Sequence, residues 1–159
     1  MPGVDTKLQQ ELRQTKPFSG PEEEAHLSIL RTSEVLRQGM AEMLKEAELT
    51  PTQYNVLRIL RGAGRPGRCC GEISERMVTK DSDITRLLNR LEARGLITRE
   101  RTEEDRRVIN ARITSAGLRL LAELDGPVAE HHRRVLGHLG AKRLALLCEL
   151  LEAVRVGRC

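Results

Sequence analysis

The chain has 159 residues, 39% of them hydrophobic and 31% charged, with a formal net charge of +4. That length suits one ordinary domain, and the mix is too apolar for a disordered chain. One Tyr, one Phe and no Trp leave almost no rings for stacking unpaired bases, so a nucleic-acid partner would be duplex DNA rather than a single strand. No apolar run approaches the roughly 18 residues of a membrane span. The first residues carry no signal-peptide core, so the expected location is the cytoplasm. There Cys69, Cys70, Cys148 and Cys159 would be reduced by default.

Residues 1–18 are polar and aperiodic and read as a flexible arm with at most one helical turn. A helix should begin near Pro21, which suits a first turn, with Glu22, Glu23 and Glu24 complementing the positive end of the dipole. Leu36, Met40, Met43, Leu44 and Ala47 then follow one helical face. A second helix opens at Thr50, with Pro51 behind the cap and Gln53 completing a capping box. It buries Val56, Leu57 and Leu60 and ends at the Gly- and Pro-rich stretch 62–67.

A short helix over 71–77 is anchored by Ile73 and Met77, and residues 78–81 form a polar turn. The next helix, about 82–94, buries Ile84, Leu87, Leu88 and Leu91, and Gly95 stops it. Residues 96–101 alternate, with Ile97, Arg99 and Arg101 opposite Thr98 and Glu100. After a polar turn at 102–106, residues 108–114 alternate again, so the two stretches read as a β-hairpin. A long helical region from 114 carries Leu118, Leu121, Leu124, Val128, Val135 and Leu139, with Gly126-Pro127 as a kink point. A last helix, about 141–154, has the stripe Leu144, Leu147, Cys148 and Leu151, in which Cys148 reads as a small core hydrophobe.

Helix, tight turn, helix and hairpin within 70–114 is the plan of a winged helix-turn-helix. Its second helix suits a DNA major groove. Opposite the leucines it carries Ser82, Asp83, Thr85, Arg86, Asn89 and Arg90, side chains able to read base edges or hold phosphates. The hairpin adds Arg99, Arg101, Arg106 and Arg107, and an Arg on a slim hairpin can enter a narrow, negative minor groove. Charge is the weaker argument: residues 80–112 hold nine basic and seven acidic side chains, a net of +2. The order of elements carries the reading.

Several ordered motifs resemble the MarR (multiple antibiotic resistance regulator) family. The stretch 49–57, LTPTQYNVL, is similar to its second helix. Glu72 to Met77 followed by Ile84 to Ile97 looks like its helix-turn-helix. Asp105-Arg106-Arg107 is similar to its wing-tip signature, and Ile113 to Gly117 to the opening of its long dimerisation helix. Lys80-Asp81-Ser82-Asp83 departs by being more acidic than many relatives at the start of the recognition helix.

The resemblance implies a mainly α fold with a small β-hairpin wing. A winged helix-turn-helix lobe at about 50–114 joins a helical dimerisation region at about 19–47 and 115–155, within one domain over 19–159. It also implies a triangular homodimer on a pseudo-palindromic double-stranded operator, regulated by a small-molecule effector, and no enzymatic activity. The DNA-binding set is then Ser82, Asp83, Thr85, Arg86, Asn89, Arg90, Asp105, Arg106 and Arg107, with Asp105 orienting Arg107.

Rival readings remain. His131 and His132 point about 100° apart on a helix, and His26 and His138 show no ligand spacing, so these histidines read as surface residues and no metal is expected. Cys69 and Cys70 leave a thiol-based redox sensor open, although no cysteine precedes them. A winged-helix protein-interaction module without DNA is the third alternative. No phosphate loop, metal tetrad or catalytic triad ordering marks an enzyme, and no cofactor motif is present.

Overall fold

Local capping signals start most of the helices. The computed structural model describes residues 6–80, 83–101 and 108–157, and the chain divides into two units, 1–42 and 43–159. In the first unit, helix α1 (Lys7–Glu11) lies where an arm was expected. Thr6 caps it by accepting from the Gln9 amide, and the buried Gln9 side chain donates to the Lys16 carbonyl at 3.2 Å. Helix α2 (Pro21–Met43) begins at Pro21 with its three glutamates in the first turn. The Ser19 amide and hydroxyl both donate to Glu23, which holds that carboxyl below its usual range. No residue of α2 is buried, and Ile29, Leu30 and Val35 are exposed.

The apolar face read from Leu36 to Ala47 does not stay helical to its end. Helix α2 stops at Met43, Lys45–Ala47 form a 3-10 turn, and Glu48 takes a left-handed φ of 52°. The second unit then builds the lobe. Helix α3 (Pro51–Ala63) opens with the expected reciprocal box: Gln53 N–H donates to Thr50 Oγ1 at 3.1 Å, and Thr50 N–H to Gln53 Oε1 at 3.0 Å. Strand β1 (Arg68–Cys69) was not expected. Helices α4 (Cys70–Arg76) and α5 (Ile84–Ala93) follow, then strands β2 (Ile97–Arg101) and β3 (Ile109–Ile113).

The sheet is antiparallel in the order β1-β3-β2, with Ile97 opposite Ile113, Arg99 opposite Ala111 and Arg101 opposite Ile109. The core is aliphatic: Leu57, Leu60, Ile73, Leu88, Leu91, Ile97 and Leu121 are fully buried. Helix α6 (Ser115–Leu136) begins hard against the hairpin. A Cβ on Gly117 would sit 2.4 Å from the Leu96 carbonyl oxygen and 2.7 Å from Ile113 Cγ1, so only glycine fits there. Helix α6 continues through Pro127, so the expected kink point does not end it.

Two expectations fail on burial. His131 is buried, because Leu121, Leu124, Val128 and His131 repeat at helical spacing along one face of α6. Cys148 is exposed rather than part of a core: helix α7 (Gly140–Val156) has no buried residue. None of the described helices is long and apolar enough to cross a membrane.

Candidate nucleic-acid interface

Helix α5 divides cleanly by face. Leu87, Leu88 and Leu91 are buried and Ile84 half-buried, while Thr85, Arg86, Asn89 and Arg90 are exposed. At 100° per residue, Arg86, Asn89 and Arg90 share one side of the helix. Among the described residues none of these four side chains has a hydrogen-bond or ion-pair partner. Their donors and acceptors are therefore available to a ligand. Burial of Leu88 and Leu91, worth about 1.5–3 kcal/mol each, fixes the rotation of the helix and so the direction of its polar face.

Asp83 has a structural task. Its Oδ1 accepts from the Arg86 amide at 3.0 Å and so caps α5. The acidic start that departed from the family pattern is, at this position, a helix cap. At the other end Gly95 takes φ 68°, and its amide donates to the Glu92 carbonyl at 2.8 Å. The Arg94 guanidinium donates to the Glu48 carbonyl at 2.6 Å and the Ala47 carbonyl at 3.1 Å, tying the end of α5 to the turn before α3.

The hairpin braces α5 from the side. Arg99 donates from Nε at 2.9 Å and from Nη2 at 2.6 Å to Glu92 Oε2, and this guanidinium holds the Glu92 carboxyl below its usual range. Arg99 was a candidate DNA contact; in the structure it is committed to α5. Arg101 is exposed without a partner among the described residues. On the other face of the sheet Arg112 pairs with Glu100 at 2.9 Å. Thr114 joins hairpin and α6: its hydroxyl donates to the Gly95 carbonyl at 2.7 Å and accepts from the Gly117 amide at 3.1 Å. Ser82, Asp105, Arg106 and Arg107 lie outside the described residues.

The cysteines are placed differently from one another. Cys69 ends β1 and its amide donates to Glu72 Oε2 at 3.1 Å, Cys70 opens α4, and both are half-buried free thiols. Among the described residues no three His, Cys, Asp or Glu side chains gather as a metal site would require. His131 Nδ1 lies 3.3 Å from Arg134, and burial, reinforced by the Arg134 and His132 charges, pushes the imidazole below the usual histidine range. One open cavity, about 770 Å³, lies where the end of α3, the following turn, β3 and the start of α6 meet. It is lined by Arg61, Arg65, Pro66, Arg112, Ile113 and Leu118. Arg61 is already engaged there by a forked pair with Asp125 at 2.9–3.1 Å.

The comparisons agree with this geometry. The model of the MarR family matches residues 49–109, which span α3 to the start of β3. The chain is 31% identical over 117 residues to the HTH-type transcriptional repressor IacR of Pseudomonas putida, covering 74% of this chain and 69% of that one. Among solved structures, a MarR transcription factor from Planctomyces limnophilus is 41% identical with a TM-score of 0.65, covering 86% of this chain and 98% of that one. Sco3205 of Streptomyces coelicolor, a MarR family regulator solved in complex with DNA, shares the fold at 20% identity and a TM-score of 0.80, covering 91% and 92%. With the exposed polar face of α5, the braced hairpin and these likenesses in place, the chain belongs to the MarR family of helix-turn-helix transcriptional regulators.

Proposed function

We propose that the protein is a cytoplasmic, non-enzymatic homodimeric repressor that places α5 in successive major grooves of a pseudo-palindromic operator. The observation that carries this is the face of α5: Thr85, Arg86, Asn89 and Arg90, exposed and without side-chain partners among the described residues, on a helix locked by buried leucines. Arg to guanine and Asn to adenine are the pairings such a face offers. Arg107, oriented by Asp105, is the proposed wing residue for the minor groove, and Arg106 the lesser contact. Asp83 stands at the entry to α5 and acts chiefly through its cap, and Ser82, which precedes it in the sequence, is a further proposed contact.

A second copy is the proposed cover for α7, whose Leu146, Leu147, Leu150 and Val154 are all exposed. The cavity at Arg65, Arg112, Ile113 and Leu118 is the proposed effector site, its guanidiniums suiting an anion and its apolar floor a hydrophobic body. The test is selection of duplexes from a random pool, followed by footprinting. Two protected half-sites about 10 base pairs apart are expected. Alanine at Arg86, Asn89 or Arg90 should cost about 1–3 kcal/mol on the selected duplex. A single asymmetric half-site, or no selected sequence, would refute the reading.

A further inference from the structure

The turn between α4 and α5 is held from outside the helix-turn-helix. Asn55, in the second turn of α3, accepts from the Val78 amide through Oδ1 at 2.9 Å. The donor is a backbone N–H, so the group facing it must be the carboxamide oxygen. Nδ2 is then directed away from the turn, and it has no partner among the described residues. The surroundings are open: Val78 is 87% exposed, and Thr79 and Lys80 are exposed too. A half-buried side chain thus presents a fixed amide donor at the foot of the segment that leads into α5.

We propose that Asn55 is a phosphate-contacting residue of the DNA interface, with Oδ1 holding the turn and Nδ2 donating to a phosphate oxygen of the strand bordering the groove that α5 enters. This rests on the DNA-binding reading above. When a helix enters the major groove with its N-terminal residues on base edges, the backbone beside that end meets the elements flanking the helix start. Asn side chains are regular donors to such phosphates, and these contacts set register rather than sequence preference. The site also explains why an amide suits this position. A carboxylate would hold the turn equally well but would face the phosphate with like charge.

That difference supplies the experiment. Asn55→Asp keeps an acceptor for the Val78 amide, whereas Asn55→Ala loses both functions. Binding is measured on the selected duplex and on a random duplex, alongside thermal unfolding. Asn55→Asp should unfold at the parent temperature yet bind both duplexes about tenfold or more weaker, the scale of a hydrogen bond to a charged group replaced by repulsion. On duplexes carrying one neutral methylphosphonate each, a single position should weaken the parent and relieve most of the Asn55→Asp deficit. Asn55→Asp binding within about twofold of the parent, or a deficit unchanged at every methylphosphonate position, would overturn the assignment and leave the DNA-binding reading standing. A parent that binds no duplex would refute both.

Discussion

Replacing Asp83 separates a cap from a base contact. The carboxylate accepts from the Arg86 amide at 3.0 Å, and α5 has only ten residues, so its first turn is a large part of the helix. Asp83→Ala removes the acceptor and should cost about 1 kcal/mol, within the usual 0.5–2 for a cap. For a chain of this size that lowers the unfolding midpoint by roughly 2–4 °C. Asp83→Asn keeps an acceptor for the Arg86 amide and gives up the favourable charge at the helix start, about 0.3–1 kcal/mol. The two variants should differ on DNA as well. On the proposed docking, Asp83→Asn removes a negative charge at the end of α5 that would approach phosphates within the roughly 10 Å screening length at 0.1 M salt. It should bind selected and random duplexes more tightly, and by the same factor. Circular dichroism gives the midpoints and fluorescence anisotropy the affinities. An unchanged midpoint for Asp83→Ala, together with an Asp83→Asn loss confined to the selected duplex, would refute the cap argument and make the carboxylate a base reader.

Arg99→Ala should lower stability by under about 1 kcal/mol, since its pair with Glu92 is partly exposed, and should leave the salt dependence of DNA binding unchanged. Arg101→Ala should instead flatten that dependence by about one phosphate-equivalent, so the reverse ranking would sink the division of labour in the hairpin. His131 is buried with a lowered pKa, so its contribution to stability is complete above about pH 6.5 and is lost as pH falls through that value toward the folded pKa. His131→Leu should remove this acid sensitivity in thermal melts from pH 8 to 5, and an identical pH profile would reject the assignment. Leu150→Glu on α7 should convert a dimer to a helical monomer in sedimentation, and persistence of the dimer would remove α7 from the proposed interface.

The parts of the fold that were legible in sequence are those set by neighbours in the chain. Thr50, Pro51 and Gln53 announce α3 because a capping box is complete within four residues, and Gly95 ends α5 for the same local reason. The split face of α5 was readable because Leu87, Leu88 and Leu91 keep helical spacing. The cap role of Asp83 is not legible in sequence, because Asp81, Ser82 and Asp83 are all good cap residues and only the helix start chooses among them. The commitment of Arg99 did leave a signal: it alternates inward with Ile97, where a charged side chain needs a partner. His131 also left one, falling in step with Leu121, Leu124 and Val128, a stripe that counting hydrocarbons alone overlooks.

Other features had no local signal. Strand β1 has two residues, too few for any period, and exists only by pairing with β3. The Asn55 contact to Val78 joins residues 23 apart. The exposure of Cys148 follows from α7 having no buried residue within the single chain, and its apolar residues run around most of the circumference rather than along the one stripe read from sequence.

Salt-titrated binding of the intact protein to its selected duplex and to a random duplex tests the central claim most directly. If the protein is a sequence-reading regulator, a contact set of about 6–10 phosphates should weaken binding by about 10³–10⁵ between 50 and 200 mM salt. At the higher salt, preference for the selected duplex should reach about 10³ or more. Binding that ignores salt, or equal affinity for both duplexes, would contradict it.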